Sequence, residues 1–436
     1  MPKTIFVSDA RGNDANNGLT SGTSKKTIYS AHLIADADDT IEILDSNTYQ
    51  PGSDDDNPSG NGRIQFSNTI HFVASSGQNP IFKGTGARAS GQATKEAFGG
   101  INMSPGEVIT FQGITFDDFR STDNTIVRTT TAGGGAPTVQ YTDCTFQAMN
   151  GSPIFVDPAP SSESKPNLLD RCEIKDGCNE KIIDATVGSE HMVIQNCILH
   201  NTASHTAQRY VDMGSNASAD TIIRNCTVIV DRVTGVDVIR MGVVENIIVK
   251  NVTTASVSGG AQNVNPNLVG INARSSYSNN CVNGSFGNSA GKGAIQDNTG
   301  AGATDGGGNI TGAGSDPLFV NESSFPDGLE LKAGSPCRNT GKTIAALTVD
   351  FNGNPRPIEG AYDIGALEFV YWMSNDGQEG GGTKFGPKDF EIRDQKNRLA
   401  TQKFPRASLN RQAPFFMTLP GPPTLRRRKT PYKNET

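Results

Sequence analysis

Residues 192–199 read MVIQNCIL, and residues 221–228 read TIIRNCTV. Each phrase joins a run of β-forming residues to a polar residue, an Asn, a Cys and further β-formers. Related phrases occupy residues 109–116, 139–146, 167–174, 247–254 and 276–283. The matched positions, spaced by 30, 28, 25, 29, 26 and 29 residues, are Ile114, Cys144, Cys172, Cys197, Cys226, Val252 and Cys281. Such a period indicates one unit stacked on itself, and without helical periodicity inside the unit it predicts a β-solenoid.

The composition suits short strands and frequent turns, since only 35% of the 436 residues are hydrophobic and 49 are Gly. No run approaches the roughly 20 apolar residues of a membrane helix, so we expect no membrane partner. The opening MPKTIFVSDARGND shows no secretory signal. Five of the seven Cys share the repeat position, which favours buried small residues in a reducing compartment. A disulfide between Cys172 and Cys178 stays an alternative.

Asn precedes the repeat position in four units, at Asn196, Asn225, Asn251 and Asn280. Solenoid corners need residues near the left-handed region of backbone space, which Asn adopts at low cost. We therefore interpret these Asn residues as bend formers. The functional alternative, that they line a ligand groove, is the weaker one.

The two ends of the repeat region have their own character. Residues 1–44 predict a strand at 4–8, a short amphipathic helix at 24–37 and the first solenoid strand at 39–44. A helix in this place would cover the open end of the solenoid. Residues 284–314 are rich in Gly and Asn and predict either a flexible excursion or a loosely wound final coil.

Candidates for chemistry are few. Asp117, Asp118 and Arg120 lie just after a repeat strand, but neighbouring strand residues face opposite sides, so we interpret them as a solvated acidic corner. His200 and His205 stand five apart on a predicted loop, which is weak metal spacing. Ser104 lacks a nucleophile-elbow pattern, and the DDD tract at 54–56 reads as a solvated loop tip. The sequence therefore predicts no catalytic residues, no metal ligands and no cofactor.

Residues 371–436 differ in charge and composition from the rest. They hold 13 Lys and Arg against 6 Asp and Glu, a net charge of +7, whereas residues 1–370 carry −14 of the total of −7. Prolines recur, and within the tail a brief helix is conceivable only at 389–400. Apolar residues too sparse for a core can be buried on another protein. We predict an extended partner-binding arm with these contact residues: Phe385, Phe390, Phe404, Phe415, Phe416, Leu419, Arg426, Arg427, Arg428 and Tyr432.

Two segments resemble a known family. FVSDARGNDANNGLTSGTSKKTIYSAHLIADADDTIEILDSNTY near the start is similar to the opening of the pectate-lyase-like superfamily. DPLFVNESSFPDGLELKAGSPCRNTG and DFNGNPRPIEGAYDIGALEF resemble its closing region. The resemblance implies an all-β, right-handed parallel β-helix over residues 1–370, with 315–370 as the closing region. Enzymes of this family cleave acidic polysaccharides, but one fold hosts many functions.

A β-helix joined to a basic, proline-rich arm looks like a bacteriophage virion protein. This resemblance implies a capsid decoration or cement protein on the outer surface of the head, assembled in the host cytoplasm. Its expected partners are the major capsid protein or other virion subunits, copies of itself in a trimer, and a host glycan. Nucleic acid binding by residues 426–429 is the less favoured interpretation because the whole chain is acidic. The alternative function is a tailspike-like polysaccharide lyase or glycoside hydrolase, although the sequence favours a non-enzymatic role.

Overall fold

The structure is a computed structural model. It describes residues 1–51, 64–84, 98–101, 103, 106–119, 126–130, 138–147, 154–155, 166–175, 181–184, 191–200, 209–213, 220–230, 237–251, 269–284, 294–297, 303–322, 324, 326–370, 392–393 and 399–400. By its internal contacts the chain divides into two units, Met1–Phe385 and Gly386–Thr436.

The first unit consists almost entirely of short strands. In chain order the strands are β1 (Thr4–Val7), β2 (Asp39–Ile43), β3 (Thr48–Tyr49), β4 (Ile64–Phe66), β5 (Ile70–Ala74), β6 (Ile81–Lys83), β7 (Phe98–Ile101), β8 (Val108–Gln112), β9 (Thr115–Asp117), β10 (Val127–Thr130), β11 (Thr138–Thr142), β12 (Thr145–Gln147), β13 (Ile154–Phe155), β14 (Asn167–Asp170), β15 (Glu173–Ile174), β16 (Lys181–Asp184), β17 (Met192–Gln195), β18 (Ile198–His200), β19 (Arg209–Asp212), β20 (Thr221–Arg224), β21 (Thr227–Val230), β22 (Asp237–Glu245), β23 (Ile248–Asn251), β24 (Val269–Ser278), β25 (Cys281–Asn283), β26 (Ile295–Asp297), β27 (Thr304–Asp305) and β28 (Ile310–Thr311). The helices are 3₁₀ turns at Ser21–Thr23, Gly312–Gly314 and Asp327–Leu329 and one α-helix, α1 (Ile28–His32). None of these described helices is long and apolar enough to cross a membrane.

Most of the described turns contribute a strand to each of three parallel sheets. Sheet 1 runs from β1 through β2, β5, β8, β11, β14, β17 and β20, and sheet 2 runs from β3 through β6, β9, β12, β15, β18, β21, β23 and β25 to β28. Sheet 3 contains β4, β7 and β10 and, further along, β13, β16 and β19. The long strands β22 and β24 pass from sheet 3 into sheet 1. This topology confirms the prediction of an all-β parallel β-helix.

The bend between sheets 1 and 2 explains the repeated phrase. Asn196 and Asn225 adopt φ values of 51° and 48°, and the equivalent Gly113, Asp143 and Arg171 are also left-handed. The residue after each bend turns into the lumen, where the amide nitrogens of Cys172 and Cys197 lie 3.4 and 3.3 Å from the thiols of Cys197 and Cys226. Cys172 is a free thiol, and Cys178 lies outside the described residues. The bend prediction is confirmed for Asn196 and Asn225.

Two of the seven repeat units were aligned incorrectly in the sequence analysis, so that the wrong residue was assigned to the bend. Asn246, with φ of 55°, forms the bend assigned to Asn251, and Ile247 rather than Val252 follows it. Asn251 lies at the end of β23, and Val252 lies outside the described residues. In the next turn the left-handed residue is Asn279, not Asn280. Cys281 consequently pairs with Ile248 on sheet 2 and points away from the lumen.

The lumen is filled by stacked side chains of like kind. Phe72, Phe111 and Tyr141 on sheet 1 stack with ring centroids 5.1 and 5.3 Å apart, and Phe116 stacks on Phe146 in sheet 2 at 5.2 Å. Further along, aliphatic residues replace the rings on the same rows. Because parallel strands align equivalent residues, a repeat in the sequence becomes a continuous ladder in space.

The first strand of the helix begins earlier than predicted. β1 pairs in parallel with β2, so the solenoid starts at Thr4 rather than at 39–44. The predicted helix at 24–37 is reduced to α1, whose Ile28 and Ala31 are buried in the lumen core. Thr27 caps its start, because its side-chain Oγ1 accepts a hydrogen bond from the Ser30 amide at 3.1 Å.

Residues 303–314 continue the helix by one partial turn. β27 pairs with β24, and β28 pairs with β25. Of the two alternatives for the Gly-rich stretch, the described part therefore forms a final coil.

The closing region 315–370 then packs on the outer face of sheet 2, where it forms a second hydrophobic core with Ile198, Ile248 and Cys281. Asn246 fastens this layer, since its side chain exchanges two hydrogen bonds of 2.7 Å with the backbone of Lys342. Beneath the surface, Arg356 donates to Glu368 at 2.6 Å and to the carbonyl of Gly365 at 2.9 Å. Burial raises the pKa of Glu368 to about 7, although Arg356 acts in the opposite direction.

In the second unit the structure describes a pair of short antiparallel strands, β29 (Ile392–Arg393) and β30 (Leu399–Ala400). The brief helix conceived for 389–400 is therefore wrong. β-branched Ile392 at one end and the polar stretch between the strands suit a hairpin better than a helix.

Candidate functional site

Charged residues collect on the outer face of sheet 3, on adjacent strands β19, β22 and β24. Val211, Ile239 and Ile271 stand in register and point into the lumen. Their neighbours Asp212, Arg240 and Asn272 are also in register, and strand alternation turns them outward. We call Asp212, Asp237, Arg240, Asn272 and Arg274 the sheet 3 cluster.

Two hydrogen-bonded pairs organise the sheet 3 cluster. The Arg240 Nε donates to Asp212 Oδ1 at 2.6 Å, and Arg240 Nη2 contacts the same oxygen. The Asn272 Nδ2 donates to Asp237 Oδ2 at 2.7 Å. Asp212, Asp237 and Asn272 are 0%, 1% and 2% exposed, so these polar groups are out of bulk water. Buried charges of this kind persist only when they are paired.

Arg274 adds a second cation to the cluster. Burial lowers the pKa of its guanidinium, and the like charge of Arg240 lowers this pKa further, while Asp237 and Asp212 act in the opposite direction. The charges of Arg240, Asp237 and Asp212 therefore all act on the pKa of Arg274. The cluster holds two carboxylates and two guanidiniums, and their formal charges cancel.

One hydrogen-bond acceptor in the sheet 3 cluster has no partner among the described residues. This acceptor is the buried Oδ1 of Asn272. A buried acceptor without a protein partner is uncommon in folded proteins. Beside it stand guanidinium donors and carboxylate acceptors, a combination that can bind the hydroxyl groups of a polar ligand.

Metal chemistry finds little support in the part of the chain that the structure describes. There, no group of three or more His, Cys, Asp or Glu residues could hold a metal ion. The two aspartates of the cluster each accept from a nitrogen donor.

The acidic corner proposed from the sequence does not join the sheet 3 cluster. Asp117 ends β9 on sheet 2, where its carboxylate lies 3.6 Å from Lys83 Nζ and accepts from Gln147 at 3.3 Å. Asp118 follows it with a left-handed φ of 57°. Arg120 lies outside the described residues. The two aspartates thus belong to a ladder of surface contacts between turns.

His200 was placed on a loop, which is wrong. It ends β18, is 3% exposed, and its Nε2 lies 3.1 Å from Glu173 Oε1 on the preceding turn. The reason is that the strand continues after Cys197 in this turn. His205, Ser104 and residues 54–56 lie outside the described residues, as does every arm residue named from the sequence.

The sequence interpretation missed the whole sheet 3 cluster. A signal was present: RYVD at 209–212, DVIRM at 237–241 and NAR at 272–274 each put a charged or amide residue inside an apolar strand. Charged residues are rarely buried unless they are paired. These three segments lie outside the bend phrase, so a search by repeats passes over them.

Comparison with known proteins adds limited information. No family model and no curated protein matches the chain. Among solved structures it is similar to the pectate lyase Pel9A, with 14% identity, a TM-score of 0.38, and coverage of 85% of this chain and 97% of that one. It is also similar to the GH136 lacto-N-biosidase from Eubacterium ramulus, with 9% identity, a TM-score of 0.30, and coverage of 71% and 67%. The fold assignment rests on the strand pairing alone.

Proposed function

We propose that this protein is a non-enzymatic structural subunit of a bacteriophage particle whose β-helix binds a glycan through the sheet 3 cluster. The observation that carries the binding role is the cluster itself. It presents two half-buried guanidiniums, Arg240 and Arg274, which a ligand can reach, beside the buried carboxylates of Asp212 and Asp237. Sugar hydroxyls both donate and accept hydrogen bonds, and this set of side chains matches them in kind.

The attachment role rests on the charge and composition of residues 371–436. Their net charge of +7 contrasts with −14 for residues 1–370. The closing region already supplies its own buried residues up to Phe369, which is 5% exposed. We propose that this basic tail fastens the protein to a shell subunit, such as the major capsid protein on the outer surface of the head.

Glycan binding is tested with the full-length protein and Arg274→Ala. We expect wild-type protein to bind at least one host-surface oligosaccharide in a glycan array, and calorimetry to show at least tenfold weaker binding by the variant, because it removes a donor from the cluster. Arg274→Lys should keep part of the affinity and guards against misfolding. Lys83→Ala, on sheet 2, is the control and should bind as wild type. Absence of binding to neutral and uronate-containing glycans alike would contradict the proposal.

A second candidate function is cleavage of a polysaccharide. The observation in its favour is that two carboxylates, Asp212 and Asp237, share the cluster with the same guanidinium. General acid and base work requires such a pair. Release of oligosaccharides by the wild-type protein, abolished in Asp237→Asn, would replace the binding function by a depolymerase; binding without release supports the first proposal.

A further inference from the structure

Two cysteine thiols lie in contact where the closing region packs on sheet 2. Cys281, in β25, and Cys337, in the closing region, are both 0% exposed and belong to the second hydrophobic core. Both are free thiols, and the Cys337 side chain makes a hydrogen bond with the Cys281 side chain. Because the two residues come from different layers of the first unit, a bond between their sulfurs would join those layers covalently.

Hydrogen bonds fix the position of both cysteines. The Cys281 thiol donates to the carbonyl of Ser315 at 3.0 Å, so its sulfur remains an acceptor for the Cys337 thiol. The Cys337 amide donates to Ser335 Oγ at 3.1 Å, and its carbonyl accepts from the Ile364 amide at 2.9 Å. A disulfide requires two side chains that approach each other with β-carbons about 3.5–4.5 Å apart. Side chains that extend toward each other from two packed layers can satisfy this requirement.

The cysteines of the lumen have a less suitable arrangement. Cys172, Cys197 and Cys226 stand at the same position of successive turns, so their side chains extend side by side. Neighbouring parallel strands are about 4.8 Å apart, which is farther than the usual separation of the β-carbons in a disulfide. The Cys226 thiol also donates to the carbonyl of Arg224, in its own turn, at 3.2 Å. Among the described cysteines, the pair across the two layers is therefore the one placed to form a disulfide.

We propose that Cys281 and Cys337 form a disulfide that crosslinks the closing region to sheet 2 when the chain is exposed to a small-molecule disulfide such as oxidised glutathione. One protein thiolate attacks the small disulfide and displaces one small thiolate. The second protein thiolate then attacks the mixed disulfide and displaces the other. The protein thiols are oxidised to one S–S bond, the small disulfide is reduced, and the two thiol protons pass to the two released thiolates.

Burial determines when this exchange occurs. The thiolate is the reacting species. The hydrogen bond with Cys281 and the burial of the side chain together raise the pKa of Cys337 well above its usual value. Exchange is therefore slow in the packed protein and fast while the closing region is still unpacked during folding. In a reducing compartment the pair stays as two thiols.

The test is synthesis of the full-length protein in a cell-free system that contains either oxidised or reduced glutathione, so that the chain folds under each condition. Trypsin without reductant should release peptides 275–292 and 333–338, which hold Cys281 and Cys337, as one linked species from the oxidised protein alone. The oxidised protein should also unfold at a temperature about 5 °C higher, since the bridge closes a loop of about 56 residues in the unfolded chain.

Two variants control the test. Cys337→Ala should lose both the linked peptide and the temperature difference. Cys226→Ala, in the lumen, should keep both, because each variant is compared with itself under the two conditions. Oxidised glutathione added to the folded, reduced wild-type protein should form the bridge at least tenfold more slowly than during synthesis.

Several outcomes would overturn the proposal. Protein made with oxidised glutathione that yields no linked peptide would exclude the bridge, and a peptide that links Cys337 to a lumen cysteine would exclude the pairing. A linked peptide without a rise in the unfolding temperature would refute the stabilising role. None of these measurements involves glycan binding or attachment to a particle, so the proposal stands or falls independently of the proposed function.

Discussion

Replacing Arg356 with alanine is expected to lower the free energy of unfolding by about 3–5 kcal/mol. Arg356 is the buried cation of the closing region, and its side chain and that of Glu368 are 0% and 1% exposed. The variant leaves Glu368 and the neighbouring Asp363 buried without their positive partner, while the carbonyl of Gly365 loses a donor. Burial already raises the pKa values of Glu368 and Asp363. In the wild-type protein the attraction of Arg356 offsets the cost of burying the Glu368 carboxylate. The variant loses this attraction and keeps the cost of burial.

Urea unfolding of the full-length protein at neutral pH measures this change. Lys342→Ala is the matched control, because it also breaks an ion pair of the closing region, with Glu245, but the lysine side chain is 55% exposed. Because the lysine ammonium is solvated, unlike the guanidinium of Arg356, the control should lose much less stability than Arg356→Ala. Equal losses in the two variants would contradict the role assigned to Arg356.

Replacing Gly12 with alanine is expected to lower the free energy of unfolding by about 3 kcal/mol. A β-carbon at this position would overlap the carbonyl oxygens of Ser8 and Lys25. Both carbonyls accept backbone hydrogen bonds in the loop that follows β1. The Gly12 amide donates to the Ser8 carbonyl at 2.7 Å, and the Ser8 amide donates to the Lys25 carbonyl at 2.9 Å. Because the overlapping atoms are backbone, the strands must move, and β1 loses its outer hydrogen bonds.

Gly22→Ala is the control for this substitution. Its added β-carbon would have Thr20 Oγ1 as its nearest neighbour, 4.0 Å away, so stability should be almost unchanged. Thermal unfolding followed by circular dichroism compares the two variants. A Gly12→Ala protein as stable as wild type would show that the loop at 8–25 does not hold the first strand.

The solenoid was predictable because its geometry repeats. A left-handed bend residue followed by a lumen residue recurs along the described turns, and the polar and small residues that meet these needs appear at similar spacings. The alignment of the repeats failed where more than one type of residue can occupy the lumen position or resemble a bend residue. Ile247 fills the lumen as Cys226 does, and Asn251 mimics a bend residue without forming one. Spacing alone does not separate such pairs, whereas strand pairing does.

The sheet 3 cluster was not predictable from motifs, because its members come from three turns and share no phrase. Asp212 and Arg240 are 28 residues apart, and Asn272 contacts Asp237 across 35 residues. Only the register of parallel strands brings them together. His200 shows the same limit, since its partner Glu173 lies 27 residues earlier and only the strand register brings the two side chains together.

The central proposal is that residues 371–436 attach the β-helix to a phage particle. The most direct measurement is the amount of protein in purified phage particles after expression of the full chain or of residues 1–370. We predict that the shortened protein remains folded by circular dichroism and is missing from the particles. Its incorporation at the level of the full chain would contradict the claim.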